Sequence, residues 1–112
     1  MQEEQPNQRR LKLFQEHKNI CASALELMVK KNHDYAYGDD PFANFKRGEM
    51  FGICSTEAGI ILRVLDKISR LGTFITAGSL KTNNESYEDA VIDVINYMVL
   101  LSAYIKEKEE NA

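Results

Sequence analysis

The chain has 112 residues, 44% of them hydrophobic and 28% charged, with a net charge of −3. That is the make-up of one globular domain rather than a disordered chain; with no Lys/Arg run longer than two residues it carries no extended nucleic-acid surface, though a local basic pocket remains open to it. No apolar run is long enough to cross a bilayer, and Cys21 and Cys54 lack metal-ligand spacing and follow no signal peptide, so a reduced, cytoplasmic protein with both thiols in the core is expected.

The polar ends, residues 1–7 (MQEEQPN) and 107–112 (EKEENA), are expected to fray, leaving one helical domain over 8–106. From about Gln8 to Lys31 the positions Leu11, Phe14, Cys21, Leu25 and Met28 recur at helical spacing, and Lys30 and Lys31 suit the negative end of that helix. NHDYAYGDDP then breaks the period with Asn, Gly, two aspartates and Pro41. FANFKRGEMFG reads as a short helix capped by Asp39 or Asp40 and ending near Gly48 or Gly52. Ser55 or Thr56 caps a third helix that runs to about Ala77. Gly78, Asn83 and Asn84 mark the next loop, and a fourth helix runs from about Ser86 to Lys106, with Ser86 and Asp89 in capping-box register. The fold class is therefore all-α, a small bundle of about four helices with no place for a β-sheet. The apolar arc of the last helix is wider than two neighbours in so small a domain can cover, so a dimer or larger homo-oligomer is expected.

Turning the helices at about 100° per residue separates two kinds of polar position. In the third helix Ile61, Val64, Leu65, Ile68 and Leu71 share a face, and Glu57 projects near its middle. On the other side Arg63, Asp66, Lys67 and Arg70 form either a solvated ladder or a phosphate-binding surface. The last helix is apolar almost all round except for the stripe Asp89, Asp93, Asn96. Two carboxylates four residues apart, with Glu57 on a neighbouring helix, suit a hard cation such as Mg²⁺ held against phosphate oxygens; the alternative is that the stripe meets water. On the first account Asp93→Asn folds normally or slightly more stably and loses metal-dependent binding. Tyr35, Tyr37 or Phe45 can stack on a base or pack as a lid, and Asn96 can read a base edge or bond to backbone. His17 and His33 are assigned no role.

Three segments, KNHDYAYGDDPFANFKRGEMFGI, LRVLDKISRL and ESYEDAVIDVINYMVLL, carry a family resemblance in order and spacing. Their K-N-x-D-Y, F-x-R-x-G-type, R-x-x-D-K-x-x-R-L and E-S-x-x-D-x-x-x-D-x-x-N-Y elements, over about residues 31–101, resemble the phage and bacterial nucleotide modification associated domain type one. That family is similar in its helix-borne acids to the MazG-like nucleotide pyrophosphohydrolases. The resemblance implies a phage-type, all-α, nucleotide-handling domain working in the host cytoplasm. Its motif positions here are Asp34, Tyr35, Arg63, Asp66, Lys67, Arg70, Glu85, Asp89, Asp93, Asn96 and Tyr97.

Phosphoryl chemistry then gives roles to these positions and to Glu57: Glu85, Asp89 and Asp93 hold Mg²⁺, and Asp34 or Glu57 holds the metal or orients water as the catalytic acid. Tyr35, Arg63, Asp66, Lys67, Arg70, Asn96 and Tyr97 go to the nucleotide. The MazG-like E-x-x-E pair is incomplete, since Ile60 follows Glu57 at the second position; this weighs against hydrolysis more than against binding. Three functions are compatible with the sequence. The first is a nucleotide-binding domain, with Mg²⁺-dependent hydrolysis of a phosphoanhydride as its further step. The second is a non-catalytic binder that sequesters a signalling nucleotide, and the third is a structural oligomer without ligand.

Overall fold

In the computed structural model, which describes residues 6–35, 40–78, 81–82 and 85–112, four helices account for nearly all of the chain described. They are α1 (Pro6–Tyr35), α2 (Ala43–Met50), α3 (Thr56–Ala77) and α4 (Tyr87–Glu110). The all-α expectation holds, with one correction. Between α3 and α4 a two-residue antiparallel ladder pairs Lys81 with Ser86 and Thr82 with Glu85, where the sequence reads as plain loop. The outer helices also run further than composition suggests, α1 from Pro6 and α4 through Glu110.

The helix ends follow local chemistry. Ser55 caps α3, its hydroxyl accepting from the Ala58 N–H at 3.1 Å, and Gly78 closes it in the left-handed region at φ 66°. Ser86 and Asp89 form both halves of a capping box at the start of α4: the Asp89 N–H donates to Ser86 Oγ, and the Ser86 N–H donates to Asp89 Oδ2 at 2.9 Å. At α2 the expectation fails. Phe42 is the N-cap and gives no side-chain cap; Asp40, two residues earlier, instead accepts from the Phe42 N–H and from Lys46 Nζ. Those two bonds, the one from Lys46 first, hold the Asp40 carboxyl below its ordinary range. Asp39 lies outside the described residues.

The core is small. Its buried residues among those described are Ile60, Val64 and Phe74 with Thr56 on α3, Ala90, Ile92 and Tyr104 on α4, Ala24 on α1, and Phe42. The Phe42 ring meets Tyr104 edge-on at 5.3 Å. Helix α2 lies close on α3, where a Cβ on Gly59 would meet the Phe45 carbonyl oxygen at 3.6 Å. Cys54 is half-buried, but Cys21 is exposed, against the expectation of a core thiol. The inner stripe of α3 is also turned by one residue from the expected face: Ile60, Val64 and Phe74 point in, while Ile61, Leu65 and Ile68 remain largely exposed. Helix α1, about 45 Å long at 1.5 Å per residue, is exposed over residues 7–19. It carries the chain to a radius of gyration of 17.4 Å, against about 13 Å for a compact domain of similar size. Among the described residues no helix is long and apolar enough to cross a membrane.

Candidate functional site

Each of the four helices sends side chains into one cavity of about 460 Å³. From α1 come Met28, Lys31 and Asn32, at the i, i+3, i+4 spacing of a single helix face; from α2 come Asn44, Phe45 and Arg47; α3 adds Arg63. Helix α4 supplies Asp93, Asn96, Tyr97 and Leu100, again one face at i, i+3, i+4, i+7. Phe45 and Tyr97 meet edge-to-face across the wall, with ring centroids 6.0 Å apart. Among the described residues the lining thus combines three cations from three helices, three side-chain amides, two aromatic rings and one carboxylate.

That carboxylate, Asp93, is occupied from two sides. Lys67 Nζ lies 3.0 Å from Oδ2 and Lys31 Nζ 3.6 Å from Oδ1. The Asp93 and Lys67 side chains are only 13% and 16% exposed, so this pair is screened by solvent far less than a surface ion pair. Its position corrects the expected ladder. Turning α3 by one residue brings Lys67 inward against Asp93 and puts Arg63 on the cavity wall, while Asp66 and Arg70 stay outside as an exposed i, i+4 pair at 3.6 Å.

Of the acids expected to share a cation, the three described, Glu57, Asp89 and Asp93, each have a protein partner. Asp89 serves the capping box, and Asp93 serves Lys31 and Lys67. Glu57, in the first turn of α3, accepts from Lys108 Nζ at 2.8 Å and does not line the cavity. Among the described residues no three His, Cys, Asp or Glu side chains come together as a ligand set. The side chains of Asp34, Tyr35 and Glu85, and all of Tyr37, lie outside the described residues.

Of the residues the sequence singles out, Arg63, Asp93, Asn96, Tyr97 and Phe45 line this cavity, and Lys31, Arg47, Asn32 and Asn44 line it without having been assigned a site role. The Asn44/Arg47 pair flanking Phe45 at i, i+3 in FANFKRG was the available signal on α2. Lys31 was assigned to a helix terminus, whereas α1 continues a turn beyond it.

The Glu57–Lys108 contact predicts a pH dependence. The hydrogen bond from Lys108 is the main cause holding the Glu57 carboxyl below its ordinary value of 4.5, and Lys108 is correspondingly raised. A depressed carboxyl pKa means that the unfolded chain binds the proton more readily than the folded one. The contribution of the contact is therefore complete above about pH 4.5 and lost as pH falls through the folded value. The melting-temperature difference between wild type and Glu57→Gln should be present at neutral pH and close up in acid. A difference that stays constant into acid would show that the carboxylate charge is not what matters there.

Compared with family models, curated proteins and solved structures, the chain matches none.

Proposed function

We propose that this chain binds a small nucleotide in the cavity between its four helices. The observation that carries the reading is the convergence of Lys31, Arg47 and Arg63, from three different helices, beside the Phe45–Tyr97 pair and Asn96. Cations from separate elements suit a compact, multiply charged anion, because each can donate to a different phosphate oxygen without competing for one position. Aromatic faces bury a base, and neighbouring amides offer donors and acceptors to its edge. A cavity of this size is within the range that small-molecule sites occupy.

Binding without turnover is the reading the contacts favour. Hydrolysis of a phosphoanhydride, which the motif resemblance implies as a further step, needs a carboxylate able to orient water and others able to hold Mg²⁺. Of the acids whose side chains are described, Glu57 is bonded to Lys108, Asp89 to Ser86, and Asp93 to two lysines. A binder that withdraws a nucleotide from solution needs the cations and rings but none of these acids.

A thermal-shift panel of mono- and dinucleotides, with Mg²⁺ and with a chelator, followed by product analysis, tests this. Stabilisation that survives the chelator, without product, is expected; product formed only with Mg²⁺ would establish the hydrolytic reading instead. Arg63→Ala and Arg47→Ala should each weaken binding about tenfold or more, the loss of a charge-assisted hydrogen bond. Arg70→Ala, on the outer side of α3, should leave it unchanged. Equal losses in all three variants would return the ligand to the outer charged face.

A further inference from the structure

We infer that a second copy of this chain packs against the face of the α3/α4 pair that lies away from the cavity, forming a two-fold dimer through a four-helix interface. On α3 the cavity side holds Arg63, and on α4 it holds Asp93, Asn96 and Leu100. Roughly half a turn round each helix from these, at about 100° per residue, run two stripes without a single charge. They are Ile61, Leu65, Ile68, Gly72 and Ile75 on α3, and Val91, Ile95, Met98, Ser102 and Ile105 on α4. Both step 4-3-4-3, the spacing with which helices interlock side chains along a shared seam. Because α3 and α4 run antiparallel, Glu57 meeting Lys108 at one end, the two stripes lie on the same side of the pair. A face made of two antiparallel helices is self-complementary under a two-fold axis.

Three observations identify the occupant as a second copy. The large side chains Ile61, Leu65, Ile68, Met98 and Ile105 of this face are 38–55% exposed, and Leu62 and Val99 flank it, also exposed. With Ile75, they amount to on the order of 400 Å² of apolar surface if each full side chain buries roughly 100 Å². Because the buried centre of such interfaces is about 65% apolar, the corresponding footprint is about 650 Å² per partner, at the lower end of what stable dimers use. Gly72 sits inside α3, where glycine weakens a helix, yet a Cβ there would meet nothing within 4 Å. Nothing among the described residues requires its smallness, whereas a helix approaching from outside does. Two other apolar surfaces compete: the exposed stripe of α1 through Leu11, Phe14, Cys21 and Leu25 is interrupted at its centre by Lys18, and the exposed Met50, Phe51 and Ile53 sit together at the end of α2 and in the turn after it rather than along a helix seam.

The inference is independent of the nucleotide reading, since the face and the cavity lie on opposite sides of α3/α4. Sedimentation of the full chain at micromolar concentration should give a dimer. Leu65→Glu with Ile68→Glu should give a monomer of unchanged helicity that keeps any nucleotide-induced thermal shift of the wild type. Gly72→Leu, a substitution into open space that raises helix propensity, should dissociate the dimer as well. Leu11→Glu with Phe14→Glu should leave it intact. A wild-type monomer, a dimer that survives both sets of α3 changes, or a dimer broken only by the α1 changes would each overturn the proposal.

Discussion

Replacing Asp93 by Asn is expected to lower the stability of the ligand-free protein by about 1–3 kcal/mol, the range for losing a hydrogen bond to a charged group in a poorly solvated place. The same change should preserve or strengthen nucleotide binding. Lys67 loses the partner it holds at 3.0 Å while it is 16% exposed, so the folded state suffers. The cavity wall at the same time loses the Asp93 carboxylate, and Lys31, 3.6 Å away on that wall, is released toward an incoming phosphate. A cation-site reading of the Asp89/Asp93 stripe expects the reverse, a protein no less stable when empty and unable to bind. Melting temperature and nucleotide affinity of Asp93→Asn, measured in chelator, separate the two: a stable variant that has lost binding would restore the metal account.

Phe42→Ala should be the most destabilising single change, at about 3–5 kcal/mol for truncating a buried aromatic, a large share of the about 5–15 kcal/mol that a domain of this kind possesses. Phe42 is 3% exposed, stands edge-on to Tyr104 and provides the backbone N-cap of α2. Its loss therefore removes core volume and also frees the helix that carries Asn44, Phe45 and Arg47 into the cavity. Denaturant titration should show the loss in midpoint, and nucleotide affinity should fall with it although Phe42 does not line the cavity. A variant with near-wild-type stability would mean that α2 is held from elsewhere.

The helices and two of their caps were legible because their signals are local. Ser55 and the Ser86/Asp89 box need only three or four consecutive residues to satisfy orphan N–H groups, and the chain supplies them in register. The rotation of α3 was not legible. Ile60, Ile61, Val64, Leu65 and Ile68 make an arc wider than the face that packs within this chain, so periodicity fixes the arc but not which of its edges turns inward. That one-residue ambiguity decided the fate of Lys67, read as part of an outer ladder and found against Asp93. Asp89 carried two legible signals, a capping position and one half of an acid pair; the cap, which forms within a single turn, is the one the structure realises. Lys31 joins the cavity through the packing of α1 onto α4, a relation between distant segments that no local pattern encodes; the FANFKRG spacing marks Arg47 as sharing a face with Asn44, but the packing of α2 onto α3 decides that this face lines the cavity.

The central claim is that the cations and rings in the cavity bind a nucleotide without help from a metal. Calorimetric titration with the nucleotide that gives the largest thermal shift, in the presence of chelator, tests it most directly when wild type is compared with the Arg47→Ala, Arg63→Ala double variant. Saturable binding to wild type that falls by about a hundredfold in the double variant, two charge-assisted contacts at about tenfold each, is the predicted result. Binding of equal strength to both proteins, or no binding of any nucleotide to the wild type, would contradict it.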